Sequence, residues 1–192
     1  VAMLRRTMPE IGGVANAALV LEPGIFANLS AESIAKQMKP KIYGTVHLDD
    51  EFKNTNLDFF ISFGSLATVC GNAGQPIYHA GNAFMMSLVE KRRRRGLAAS
   101  ILNFGMLVDV GYVARSDRDT GSNIEEWLRV DLTTALSESD FHHVFLQGIA
   151  QGHPSTSTGE VIMGFEMFLD QGQPRPRWTE LPLFSHMVRV SN

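Results

Sequence analysis

Four side chains in this sequence could together do acid–base chemistry on a carbonyl oxygen: the phenol of Tyr78, the hydroxyl of Ser65, the amide of Asn82 and the ammonium of Lys41. A ketone that accepts a hydride develops negative charge on its oxygen, and a proton must arrive there. A phenol with an unperturbed pKa of about 10 is a reluctant base and a usable acid; a nearby ammonium lowers that value by stabilising phenolate. A serine hydroxyl beside the phenol can hold the carbonyl oxygen. An amide one helical turn along can fix a water or a lysine for proton resupply. Each residue type is common, so the information lies in the spacing. Tyr78 follows Ser65 by 13 positions, precedes Asn82 by 4 and follows Lys41 by 37.

Positioning these groups falls to the stretch from Phe59 to Gly105, FFISFGSLATVCGNAGQPIYHAGNAFMMSLVEKRRRRGLAASILNFG. Leu57 to Phe63 is a continuous apolar run of strand length, as in a strand buried on both faces of a parallel sheet. Gly64 to Gln75 is rich in Gly, Ala and Ser, which permits a ligand near the strand end. Pro76 can open a helix without wasting a backbone donor. Ile77, Ala80, Phe84 and Leu88 recur at helical spacing as its buried stripe, and Tyr78 and Asn82 share a neighbouring face. The run KRRRR, Lys91 to Arg95, ends the helix as a solvated, dipole-matched terminus, with Gly96 beyond it. Leu97 to Phe104 is the next buried strand. Strand, loop, helix, strand is the grammar of a parallel sheet, which places its chemistry where strands end.

The flanking segments extend that pattern. A short strand is expected near Ile11–Asn16, with a turn at Glu22-Pro23-Gly24; the small residues around Gly12, Gly13 and Ala15 allow close approach of a ligand or another backbone. Ser30 is an N-cap for AESIAKQM, and Pro40 kinks or restarts that helix. Ile42, Val46 and Leu48 are core candidates beyond it. Asp109 to Ser139 reads as a polar loop with short helical pieces. Ser137 with Asp140 resembles a capping box for the helix that follows. The adjacent His142 and His143 fall on different helix faces, so no metal site is expected. Glu160 to Phe168 is a last strand candidate, and DQGQPRPRW reads as an exit linker.

Composition narrows the function classes. The 192 residues, 44% hydrophobic and 19% charged, suit one globular domain. A net charge of −3 gives no reason to expect nucleic acid or an anionic membrane. No apolar run is long enough to span a bilayer. The single cysteine, Cys70, precludes an internal disulfide and suits a reducing, cytoplasmic setting; it reads as a small buried residue.

With its spacing, the set Lys41, Ser65, Tyr78 and Asn82 resembles the ketoreductase domains of polyketide synthases, a branch of the short-chain dehydrogenase/reductase superfamily. In that branch the lysine comes from the earlier helix and an asparagine follows the tyrosine by four. The framing stretches PKIYGTVHLDDEF, FFISFGSLATVCGNAGQPIYHAGNAF and LAASILNFGMLVDVGYV match as well. IGGVANAALVLEPGIFANLS and GFEMFLDQGQPRPRW look most like fungal highly reducing synthases and polyketide–peptide hybrids. The resemblance implies an α/β fold: a partial Rossmann-like, doubly wound parallel sheet of roughly four strands, with helices on both faces. It implies residues 1–170 as the C-terminal catalytic portion and 171–192 as the linker. The implied reaction is NADPH-dependent reduction of a β-ketoacyl intermediate held on an acyl carrier protein, among other synthase domains. Tyr78 would donate the proton, Ser65 orient the carbonyl, Lys41 lower the phenol's pKa and Asn82 support the lysine or the relay. Asn16 and Ala17 would lie along the adenosine side of the cofactor, and Gly105 and Met106 near the nicotinamide. Asp109–Ser139 would be the substrate lid. The family's Gly-rich pyrophosphate turn has no counterpart here: Gly12-Gly13 and Gly71 to Gly74 have the wrong spacing. The chain therefore reads as starting just before the family's fourth strand. The alternative that this leaves open is a catalytically silent structural fragment or remnant.

Overall fold

A computed structural model of the chain describes residues 1–111, 134–165, 167–170 and 175–190. After a short helix α1 (Leu4–Thr7), the elements run β1 (Gly13–Asn16), α2 (Ala31–Met38), α3 (Gly44–Glu51), β2 (Phe59–Phe63), α4 (Leu66–Cys70) and α5 (Pro76–Arg94). Then follow β3 (Ser100–Phe104), α6 (Glu138–Gln151), β4 (Glu160–Met163), β5 (Phe168–Asp170) and β6 (Val188–Val190). The first four strands form one parallel sheet in the order β1-β2-β3-β4. This is the expected Rossmann-like architecture, with all strand carboxyl ends at one edge.

The β2 and β3 side chains alternate between two cores, as a pleated strand covered on both faces must. Phe60 and Ile101 join Met85, Leu88 and Val89 of α5 on one face. Ile61 and Leu102 join Val144 of α6 on the other. Phe59, Phe63, Phe104, Phe141 and Phe145 stack edge-on or tilted between sheet and α6, with ring centroids 5.7–6.3 Å apart. Gly148 of α6 lies over Leu102; a Cβ there would come within 2.5 Å of the leucine's Cδ2.

The helix termini follow their capping residues. Ser30 accepts from the Ser33 N–H at the start of α2, and Ser137 with Asp140 closes a full capping box on α6. Gly96 takes φ 76° after α5. Pro40 restarts the chain: Lys39–Tyr43 is a single π-helical turn between α2 and α3.

Three expectations are corrected. Along the π-helical turn and α3 the buried face is polar, formed by Lys41, Thr45 and Asp49, while Ile42, Val46 and Leu48 are only half-buried. On α5, Ala80 is exposed, and the buried side runs through Ile77, Gly81, Asn82, Met85, Leu88, Val89 and Arg92. The KRRRR run is not wholly solvated. Arg92 is 0% exposed, its Nη1 is 2.7 Å from Asp49 Oδ1, and its guanidinium stacks 4.2 Å from the Phe60 ring centroid. Arg93 reaches the other way and donates to the carbonyls of Gln151, His153 and Thr156. Arg95 also reaches Asp49 Oδ1, at 2.5 Å, so only Lys91 and Arg94 behave as a solvated helix end.

The last strand candidate divides into β4 and β5. Within 171–192, read from composition as a linker, Arg177–Glu180 and Pro182–Met187 form 3-10 turns. Trp178 and Phe184 from these turns are buried around Phe165, which gives this Pro- and Arg-rich stretch an aromatic cluster of its own.

Candidate active site

Three strand ends deliver the site. Asn16 ends β1, Phe63 ends β2 ahead of Ser65, and Phe104 ends β3 ahead of Gly105 and Met106. Helix α5 crosses in front of them with Tyr78 and Asn82 one turn apart.

Lys41 enters from the π-helical turn and is 5% exposed. Its stem passes α5 where Gly81 has no side chain: a Cβ on Gly81 would lie 3.1 Å from Lys41 Cβ and 3.4 Å from its Cδ. Its Nζ donates to the Phe63 carbonyl at 2.7 Å and stands 5.1 Å from the centre of the Tyr78 ring. Burial pushes the ammonium down from 10.5 to about 8. Burial likewise holds the Tyr78 phenol above its ordinary value, while hydrogen bonds from Ser65 and Asn82 pull it back. At neutral pH Tyr78 is therefore a protonated acid, with a cation beside its ring and two hydrogen-bonding groups on its oxygen. All four expected residues converge.

The Ser65 turn is held from below. Asn103, fully buried on β3, accepts the Ser65 N–H at 3.1 Å and donates to Glu160 Oε1 at 2.6 Å. Gly64 makes room for that amide; a Cβ there would sit 1.9 Å from Asn103 Oδ1. Ser65 Oγ accepts from Ala67 N, which leaves the hydroxyl proton free to point into the site.

Of the other expected residues, Asn16 is a scaffold residue in its side chain. Its Nδ2 donates to the Pro40 carbonyl at 3.2 Å and Thr45 Oγ1 at 2.8 Å, and its Oδ1 accepts from Ala18 N. This ties β1 to the turn that carries Lys41. Ala17 is exposed beyond the strand end. Gly105 is half-buried, and Met106 is 7% exposed with its carbonyl accepting from Leu136 N. Most of the expected lid, residues 112–133, lies outside the described residues. Cys70 is half-buried, not buried, and lines a cleft of about 350 Å³ with Gly71, Asn72, Ala73, Glu180 and Leu181. Among the described residues no group of three or more His, Cys, Asp or Glu could hold a metal, and no helix is long and apolar enough to cross a membrane.

Sequence reasoning missed Thr68, His79, Gly81 and Asn103. The glycine between Tyr78 and Asn82 was a usable signal, because a small residue on a catalytic helix face leaves room for a neighbour. The others act through tertiary hydrogen bonds that no spacing rule reveals.

Residues 1–109, more than half of the chain, match the family profile described as KR domain. The chain belongs to the ketoreductase (KR) domain family. Its relatives are fungal synthases. It is 47% identical over 185 residues to the hybrid PKS-NRPS synthetase lepA of Aspergillus flavus, covering 95% of this chain and 5% of that protein. It is 42% identical over 194 residues to the highly reducing polyketide synthase ACTTS3 of Alternaria alternata, covering 98% of this chain and 8% of that protein. The chain thus spans a small fraction of the relatives' length. Among solved structures it is similar to an A-type ketoreductase from a modular polyketide synthase, with TM-score 0.71 and 26% identity over 85% of this chain and 33% of the other. This KR domain also shares its fold alone with a 4-hydroxyisoleucine dehydrogenase mutant complexed with NADH and succinate, at TM-score 0.68 and 11% identity over 84% of this chain and 70% of the other.

Proposed function

We propose that this KR domain supplies the catalytic side chains for NADPH-dependent reduction of a β-ketoacyl polyketide intermediate carried on an acyl carrier protein, within a cytoplasmic fungal synthase. The observation that carries this reading is the convergence of a buried ammonium, a half-buried phenol, a serine hydroxyl and a buried amide at the carboxyl edge of a parallel sheet. Residues 1–170 form the catalytic portion, and 171–192 lead out of it.

The strand ends leave room for such a cofactor: Ala17 is exposed beyond β1, on the side expected for the adenosine, and Gly105, without a side chain, stands beyond β3, on the side expected for the nicotinamide. The cofactor, when bound, supplies the hydride. Tyr78 Oη delivers the proton to the substrate oxygen as charge builds there. The Ser65 hydroxyl donates to the same oxygen and fixes its direction. Lys41, held by the Phe63 carbonyl, lowers the energy of the phenolate left behind. Asn82, fully buried, assists by donating to that phenolate.

The test uses the synthase polypeptide that carries this chain, a β-ketoacyl pantetheine thioester, and loss of NADPH absorbance. Formation of β-hydroxyacyl thioester in step with NADPH oxidation is expected. Unchanged thioester with an intact NADPH-binding signal contradicts the proposal and favours a silent domain.

A further inference from the structure

Asn82 carries a feature that its place one turn after Tyr78 does not explain. It is fully buried, its Nδ2 donates to Thr68 Oγ1 at 2.8 Å, and its Oδ1 is buried with no partner among the described residues. An amide that leaves its acceptor unpaired has been forced into that orientation, since turning it over would exchange the two ends.

The forcing group can be traced. His79 Nε2 lies 2.9 Å from the Asn72 carbonyl, and its Nδ1 lies 3.3 Å from Thr68 Oγ1. A carbonyl can only accept, so Nε2 carries the proton. In the neutral ring Nδ1 is then an acceptor. The Thr68 hydroxyl must give its one proton to Nδ1. Toward Asn82 the same oxygen can only accept, so Asn82 must present Nδ2. The second N–H of that amide is then available to the Tyr78 phenol one turn back on the helix, whose pKa a side-chain hydrogen bond with Asn82 pulls down. The titratable groups against Tyr78 are Lys41, from the π-helical turn, and His79, whose ring centroid is 6.2 Å away on Tyr78's own helix.

We propose that Thr68 and His79 are positioning residues that fix the polarity of the Asn82 amide, making it a donor to the Tyr78 phenolate rather than an acceptor of the phenol proton. The distinction matters because the two orientations have opposite effects. A donor favours the ionised phenol, whereas an acceptor favours the neutral one. In the first orientation the proton leaves Tyr78 more readily for the substrate. The inference deepens the ketoreductase reading and rests on it for its consequence, but the hydrogen-bond polarity is measurable without turnover.

Difluorotyrosine incorporated into the whole chain brings phenol ionisation into a range where the fold persists, and fluorine NMR follows it against pH. The three tyrosines give three signals, and Tyr78 is assigned by its loss in Tyr78→Phe. Thr68→Val, which keeps the shape and removes the hydroxyl, raises the Tyr78 midpoint by about one pH unit, the size expected for losing a donor to a charged oxygen. Thr68→Ser leaves the midpoint where it is. His79→Leu raises it too, because Thr68 is then free to turn its proton on Asn82. A midpoint unmoved in Thr68→Val overturns the proposal, as does a Thr68→Ser shift as large as that of valine. If the valine variant does not fold, the His79→Leu and serine pair decides by the same criteria. Because no cofactor or substrate is present, a failed titration leaves the reduction proposal standing, and a chain that reduces nothing still shows the shift.

Discussion

Replacing Lys41 by methionine separates two properties that its burial sets against each other. The ammonium is 5% exposed, and burial takes it from 10.5 to about 8. That depression corresponds to about 3 kcal/mol of penalty on the charged form in the folded state. One hydrogen bond, to the Phe63 carbonyl, is lost on substitution and returns about 1 kcal/mol of that. Lys41→Met is therefore expected to stabilise the chain at neutral pH by about 1–2 kcal/mol, a rise of roughly 2–8 °C in melting temperature for a chain of this size. The pH dependence carries a definite sign. Below about 8 both folded and unfolded states hold the proton, and the wild-type penalty is complete. Between about 8 and 10.5 the unfolded state binds more protons, so wild-type stability rises with pH relative to the variant. Above 10.5 the penalty is gone and the advantage of methionine disappears. Thermal unfolding of both chains across this range, read as a difference so that other lysines cancel, measures the effect. A methionine variant less stable than wild type at neutral pH refutes the reasoning, and so does a gap that ignores pH.

Three further outcomes follow from the same geometry. Ketone reduction, measured as kcat/KM, is expected to fall as pH rises through about 8 and Lys41 loses the charge that supports phenolate; a flat profile well past that point contradicts its role. Gly64→Ala forces a Cβ to 1.9 Å from Asn103 Oδ1 and is expected to cost about 2 kcal/mol in urea unfolding, a cost that falls sharply in an Asn103→Ala background; additivity of the two changes means no such contact exists. Asp49→Asn leaves Arg92 buried without its carboxylate and is expected to cost about 3–5 kcal/mol; an unchanged unfolding midpoint shows that the pair is not buried as described.

Much of the scaffold was legible because it follows short-range rules. The apolar runs before Gly64 and Gly105 became β2 and β3. Ser30 and Ser137 capped the helices that begin after them. The meeting of Lys41 with Tyr78 was legible only through resemblance, since nothing local joins residues 37 positions apart. The misreadings share one cause. Periodicity finds apolar faces, and the π-helical turn with α3 buries Lys41, Thr45 and Asp49 instead. Those burials are tolerated because partners arrive from elsewhere: Asn16 for Thr45, the Phe63 carbonyl for Lys41, Arg92 for Asp49. Arg92 was hidden the same way, inside a basic run in which Lys91, Arg94 and Arg95 are exposed, because its carboxylate lies 43 residues earlier. The tail was read by its prolines and arginines, while Trp178 and Phe184 decided its packing.

The central claim, that Tyr78 is the acid of a ketoreductase site, is tested most directly by single-turnover reduction of a β-ketoacyl pantetheine thioester in the synthase polypeptide carrying Tyr78→Phe, with NADPH binding measured in parallel. Phenylalanine keeps the ring beside Lys41 and removes only the proton-bearing oxygen. The expected result is a loss of reduction by at least about 100-fold, the scale of a positioned general acid, with NADPH affinity unchanged. Reduction at the wild-type rate in that variant contradicts the account.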